Sequence, residues 1–140
     1  MAIEKLEPKS GNPCFGCGAD NPRGMKLTFE QDHDARKITG RFRLGAEYQG
    51  SNLVLHGGII AVLFDEAMGK LNRFHNARAV TAELSVEYLR PIPVDAEIIV
   101  EAFEVTRDGR NLFHRGEIRD ANGKILARSK GRFVIIGEKQ

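Results

Sequence analysis

Leu53–Phe74 reads LVLHGGIIAVLFDEAMGKLNRF, and the fold of the whole chain turns on it. The stretch has the apolar periodicity of a helix, yet it carries His56, a glycine pair and the carboxylate of Asp65. At about 100° per residue, Ile60, Leu63, Phe64, Ala67, Leu71 and Phe74 share one side. That stripe is built to pack on a sheet. The opposite side holds Gly58, Ala61, Val62, Asp65, Gly69 and Asn72, where an ordinary outer face would be rich in Lys and Glu. Small side chains around one acid let a ligand or a second backbone come close. Glu66, Lys70 and Arg73 lie on the flanks between the two faces. Gly57 and Gly58 leave the helix start sterically open. Its free N–H groups and positive dipole end suit an oxyanion or a phosphate. The competing reading is plainer: a solvated helix acid at Asp65 and a first-turn packing role for His56.

Period-two alternation dominates both flanks of this stretch. MKLTFEQ (25–31) and ARKITGRFRL (35–44) read as half-buried strands, and GAEYQGSN (45–52) as the loop before the helix. Beyond it, a strand from Val80 to about Leu89 is stopped by Pro91 and Pro93. AEIIVEAFEVTR (96–107), RNLFHRGEIRD (110–120) and KILARSKGRFVII (124–136) follow. Asp108-Gly109 and Asn122-Gly123 between alternating runs are strong hairpin signals. The expectation is two strands, one long helix, then a four-stranded antiparallel meander. One helix cannot cover six strands from outside, so the economical architecture is α+β, a curved antiparallel sheet wrapped around a central helix.

The chain has 140 residues, enough for a single domain spanning 1–140. A formal charge of +2 is too balanced to argue for nucleic acid, and no apolar run reaches the ~18 residues of a membrane span. MAIEKLEPKSGNP has no apolar core of a secretory signal, which favours the cytoplasm. Residues 1–23 are polar and rich in turn formers, an irregular lead-in. They contain both cysteines of the chain, Cys14 and Cys17. Their Gly, Pro and Asn flanks are wrong for a redox Cys-x-x-Cys between strand and helix. Zinc needs four ligands, so a partner chain or His33 would have to help. The reading adopted is a Gly-rich knuckle with two reduced thiols and no metal. His33, His75 and His114 read as structural.

LHGGIIAVLFDEAMG (55–69) resembles the helix of hotdog-fold acyl-CoA thioesterases of the phenylacetyl-CoA thioesterase type. The likeness continues in CFGCGADNPRGMKL (14–27), AVTAELSVEYLRPIP (79–93) and DANGKILARSKGRF (120–133), in the same order along the chain. The resemblance implies that Gly57 donates its backbone N–H to an oxyanion and that Asp65 is the catalytic carboxylate. His56 matches the histidine beside the thioester, and Thr81 falls where some members position water with a hydroxyl. Several members hold water with Asn or Gln just before the histidine, a role open to Gln49 or Asn52. Gly58, next on the helix, is a candidate to lie beside the substrate. Arg90, Arg128 and Lys130 are candidates for the phosphates of coenzyme A, or solvated surface charge. Phe15, Met68 and Phe74 either shape an acyl pocket or belong to the core.

The chemistry agrees with the likeness. Water attack on a thioester develops charge on the carbonyl oxygen, which a helix N-terminal N–H stabilises. A thiolate leaves readily, so the remaining need is a base or a carboxylate nucleophile, and Asp65 can be either. No metal or redox cofactor is demanded. Two other readings stay open: a non-catalytic acyl-CoA-binding protein, and a hotdog hydratase or dehydratase, whose His and Phe-Pro-Gly loop are absent. Gly57 and Asp65 are eight residues, hence ~12 Å, apart along a helix. A carbonyl and its attacker must approach within ~3.5 Å. The expectation is therefore a homodimer, or a dimer of dimers, with each active site shared between two chains.

Overall fold

A computed structural model describes residues 3–138. The elements are β1 (Ile3–Leu6), β2 (Phe29–Asp32), β3 (Lys37–Arg43), a 3₁₀ turn (Ala46–Tyr48), α1 (Gly57–Lys70), a second 3₁₀ segment (Leu71–His75), β4 (Ala77–Tyr88), β5 (Glu97–Asp108), β6 (Asn111–Asp120) and β7 (Ile125–Glu138). All strands join one antiparallel sheet in the order β1-β2-β3-β5-β6-β7-β4, with α1 laid against one face. The α+β expectation of a sheet around a helix holds.

Three expectations are corrected. The lead-in is not wholly irregular, because Ile3–Leu6 adds a seventh strand beside β2. Within 25–31 the alternation is real, with Leu27, Phe29 and Gln31 all buried. Only from Phe29 is it a sheet strand, because Met25 and Leu27 give their N–H groups to Phe15 O and Gly16 O of the knuckle. Nor do the last strands form a plain meander. Tight turns at Gly109 (φ 62°) and Gly123 (φ 86°) join β5 to β6 and β6 to β7. Between β4 and β5 there is no such turn, and the passage through Pro91 and Pro93 lets the two strands part. β5 pairs with β3, and β4 lies at the far edge against β7.

α1 buries Ile60, Leu63, Phe64, Ala67 and Met68, and Leu71 continues the stripe. The helix comes so near the sheet at β6 that a Cβ on Gly116 would stand 2.9 Å from Phe64 Cδ1. Met68 is fully buried, so it belongs to the core, whereas Phe15 is 44% exposed. Asn72 departs from the open face assigned to it. Beyond Lys70 the winding tightens to about three residues per turn, which rotates later side chains relative to an α-helical projection. Asn72 is thereby buried and its Oδ1 lies 2.9 Å from His114 Nε2. Asn76, in the left-handed region at φ 48°, ends the segment.

One irregularity in β4 determines what faces the helix. The register with β7 shifts between Thr81 and Glu83, so Ala82 is an extra residue. Thr81 opposes Phe133, while Leu84, Val86 and Tyr88 oppose Gly131, Ser129 and Ala127, all on the helix side. Seven positions separate Thr81 from Tyr88, an odd number that would place them on opposite faces of a regular strand. The bulge puts both on the same face.

Candidate active site

The start of α1 is set by its own cap. His56 has extended backbone (φ −62°, ψ 136°), and its Nδ1 accepts the N–H of Gly58 at 2.8 Å. An accepting Nδ1 carries no proton, so the neutral ring holds its proton on Nε2. Ile59 and Ile60 give their N–H groups to His56 O. Of the first four helical N–H groups, that of Gly57 alone has no acceptor among the described residues. The amide that the resemblance implies as oxyanion donor is thus the one left available. Tyr88 clamps the same turn, its hydroxyl donating to Gly57 O at 2.8 Å. Sequence reading missed Tyr88, because the bulge that brings it to this face leaves no mark on the alternation.

Two turns further along, Thr81 Oγ1 donates to Asp65 Oδ1 at 2.6 Å. Asp65 is half-buried, and its pKa is raised. Burial is the main cause, opposed by the Thr81 hydrogen bond and assisted by the negative charge of Glu66. A carboxylate that holds its proton more tightly than usual is a stronger base when ionised. With Oδ1 engaged by Thr81, Oδ2 remains for water. The cleft beside this acid is lined by Asp65, Gly69, Ala79 and Thr81 together with the charged Glu66, Lys70 and Arg73.

The other candidates divide. Gln49 Oε1 accepts the N–H of Leu53 at 3.1 Å, which commits it to its own loop. Asn52 is exposed on left-handed backbone (φ 44°) in that same turn. Arg90 lies two residues past Tyr88, where its N–H is held by Leu126 O, near the helix start. Arg128 and Lys130 alternate with the buried Ala127 and Ser129, so they lie on the sheet face away from α1. One protomer therefore does not gather Arg128 and Lys130 with Gly57 or Asp65. The three remaining histidines each meet a side chain away from Gly57 and Asp65: His33 pairs with Glu4 and His75 with Glu104, and His114 meets Asn72. No helix among the described residues is long and apolar enough to cross a membrane.

Comparison with known proteins fits this geometry. Acyl-coenzyme A thioesterase THEM4 of Rattus norvegicus is 31% identical over 124 residues, which is 89% of this chain and 54% of that protein. A crystal structure of a thioesterase superfamily protein superposes with a TM-score of 0.76 at 31% identity, covering 84% of this chain and 57% of that one. A hypothetical thioesterase of Streptococcus pneumoniae, solved with coenzyme A, has a TM-score of 0.70 at 15% identity, covering 74% and 81%, a likeness of fold alone. The chain spans about half the length of the curated relatives it matches. These neighbours share the hotdog arrangement of a central helix in a curved antiparallel sheet. The thioesterase superfamily pattern matches residues 52–127, which hold the helix start, Asp65, Thr81 and Tyr88, and the chain belongs to that superfamily.

Proposed function

We propose that the protein hydrolyses an acyl-CoA thioester to a free acid and coenzyme A. The observation that carries this reading is the pairing on α1 of an unoccupied N-terminal amide, Gly57, with a proton-avid carboxylate, Asp65. Membership of the superfamily and the acyl-CoA thioesterase relatives support the substrate class.

In the reaction, Gly57 N–H polarises the thioester carbonyl and stabilises the oxyanion as it forms. His56 Nε2–H lies on the same turn and is suited to hold the substrate beside that amide. Asp65 Oδ2 takes a proton from water, the water oxygen bonds to the carbonyl carbon, and the C–S bond breaks to release the thiolate of coenzyme A. Thr81 orients the carboxylate and can accept a hydrogen bond from the same water. Direct attack by Asp65 through an anhydride uses the same atoms. Arg90 remains the candidate partner for a phosphate of coenzyme A in this reading.

The separation of ~12 Å along α1 keeps Gly57 and Asp65 of one chain from sharing a substrate. The reading therefore includes a homodimer in which Asp65 of one chain serves Gly57 of the other. β4 supports this, being a sheet edge that leaves Val80 and Tyr88 exposed, with Leu89 exposed just past its end. The test is a panel of aromatic and aliphatic acyl-CoA thioesters followed by thiol detection, with Asp65→Asn beside the wild type. Turnover of at least one thioester, reduced about a hundredfold or more by the substitution, is expected. Absence of turnover together with tight acyl-CoA binding would instead favour a non-catalytic binding protein.

A further inference from the structure

On the charged flank of α1, Glu66 and Lys70 reach the N-terminal knuckle. Cys14 Sγ donates to Glu66 Oε1 at 3.2 Å across 52 positions of sequence. The ligand atoms of Cys14, Cys17 and Glu66 all lie within 4.8 Å of one another. Their meeting is a product of the fold, which the Cys-x-x-Cys spacing alone does not give. The knuckle is pinned on several sides. Gly18 N–H donates to Cys14 O, and Cys14 N–H to Asn12 Oδ1, each at 3.0 Å. Met25 and Leu27 hold the carbonyls of Phe15 and Gly16 at 2.7 and 2.8 Å. The loop presses so close to the helix that a Cβ on Gly16 would stand 2.3 Å from Glu66 Oε1. No Lys or Arg forms a salt bridge with Glu66 among the described residues.

We propose that Cys14, Cys17 and Glu66 are the protein ligands of a zinc ion, with water in the fourth position. Two thiolates select a soft or borderline metal and argue against magnesium or calcium, and the carboxylate favours zinc over cuprous copper. Tetrahedral bonds of the usual lengths bring such ligand atoms to about 3.5–3.8 Å from one another, a closure of about 1 Å from the widest present separation. On binding, each thiol gives its proton to solvent and its sulfur lone pair to zinc. The site then carries one net negative charge. Lys70, whose side chain reaches Cys17 from the next turn of α1, offsets that charge. His33, the sequence candidate for a further ligand, is instead bonded to Glu4 at 2.9 Å. The ion ties residues 14–18 to the helix one position from Asp65. Its role is to hold that turn, and it takes no part in the attack on substrate.

The experiment uses the reduced full chain, stripped with a chelator and titrated with zinc alone and with cobalt alone. One ion per chain, a thiolate-to-cobalt charge-transfer band and a zinc-dependent rise in Tm are expected. Cys14→Ser, Cys17→Ser and Glu66→Gln should each weaken zinc more than about tenfold, while His33→Asn leaves it unchanged. Glu66→Gln is decisive because it is nearly isosteric and keeps both thiols. Failure of the wild type to take up zinc or cobalt overturns the proposal. So does zinc binding that Glu66→Gln leaves undiminished, or that is lost with His33.

Discussion

Asp65 carries two opposed consequences of one environment. Burial raises its pKa, and the Thr81 hydroxyl partly restores the charged form. Removing that donor in Thr81→Val should raise the pKa further, so the acid limb of the pH–rate profile moves to higher pH. A limb that stays in place would mean that another group sets it. The same shift predicts a gain in stability on losing the charge. Because the folded pKa lies above the unfolded one, the native state favours the protonated acid. Stability is then greatest below the unfolded pKa and falls as pH rises through the folded value. At neutral pH Asp65→Asn should unfold at higher denaturant than the wild type, while turnover collapses. The difference should vanish at acid pH, where the wild-type carboxyl is also neutral. Equal midpoints at pH 7 would refute the desolvation argument. Asp65 and Gly57 were legible in the sequence because one periodic stretch carries both and small residues surround the acid. Glu66 was not, since its flank position says nothing about a loop some fifty residues earlier that folds down on it.

At the scale of elements, β4 and the seam between α1 and the sheet shape the site. The bulge at Ala82 brings Thr81 and Tyr88 to one face, and a strict period-two reading cannot show it. Tyr88→Phe keeps the ring and removes the hydroxyl from Gly57 O. An exposed hydrogen bond of this kind contributes no more than about 1 kcal/mol, and turnover should fall only severalfold. A hundredfold loss would make the hydroxyl a participant in the reaction. Deeper in the seam, His114 is 2% exposed and joined to Asn72. Burial lowers its pKa to about 4; the field of Glu104 opposes that shift and His75 adds to it. The unfolded chain binds this proton near pH 6.5 and the native chain resists it, so stability is intact above pH 6.5 and falls as pH drops toward 4. The loss amounts to roughly 3 kcal/mol across that window. His114→Asn should flatten the slope of urea-derived stability between pH 6.5 and 4.5. An unchanged slope would locate the acid sensitivity elsewhere. The 3₁₀ winding that delivers Asn72 to His114 was also invisible to a projection that assumes 3.6 residues per turn.

For the molecule as a whole, the sequence conveyed the sheet-around-helix plan because hairpin turns and alternation are local signals. Strand order is not local: β4 abandons β5 for β7, and that choice leaves β4 as an edge. The edge gives the shared-site proposal its strongest test, which is complementation. Asp65→Ala removes the base from one chain, and Gly57→Pro removes the amide from another. Proline is tolerated at the first helical position, and the extended backbone of His56 suits the residue before it. Tyr88 Oη lies 3.3 Å from where a Cβ on Gly57 would stand, so circular dichroism and size must first establish that this variant folds and pairs. Each variant alone should be nearly inactive. In a heterodimer, one site joins the intact amide of the first chain to the intact carboxylate of the second, and the other site has neither. Unbiased mixing makes half the dimers mixed, so about a quarter of wild-type turnover should return on refolding together. If both variants fold and exchange yet no turnover returns, Gly57 and Asp65 act within a single chain, and the exposed edge of β4 has some other purpose.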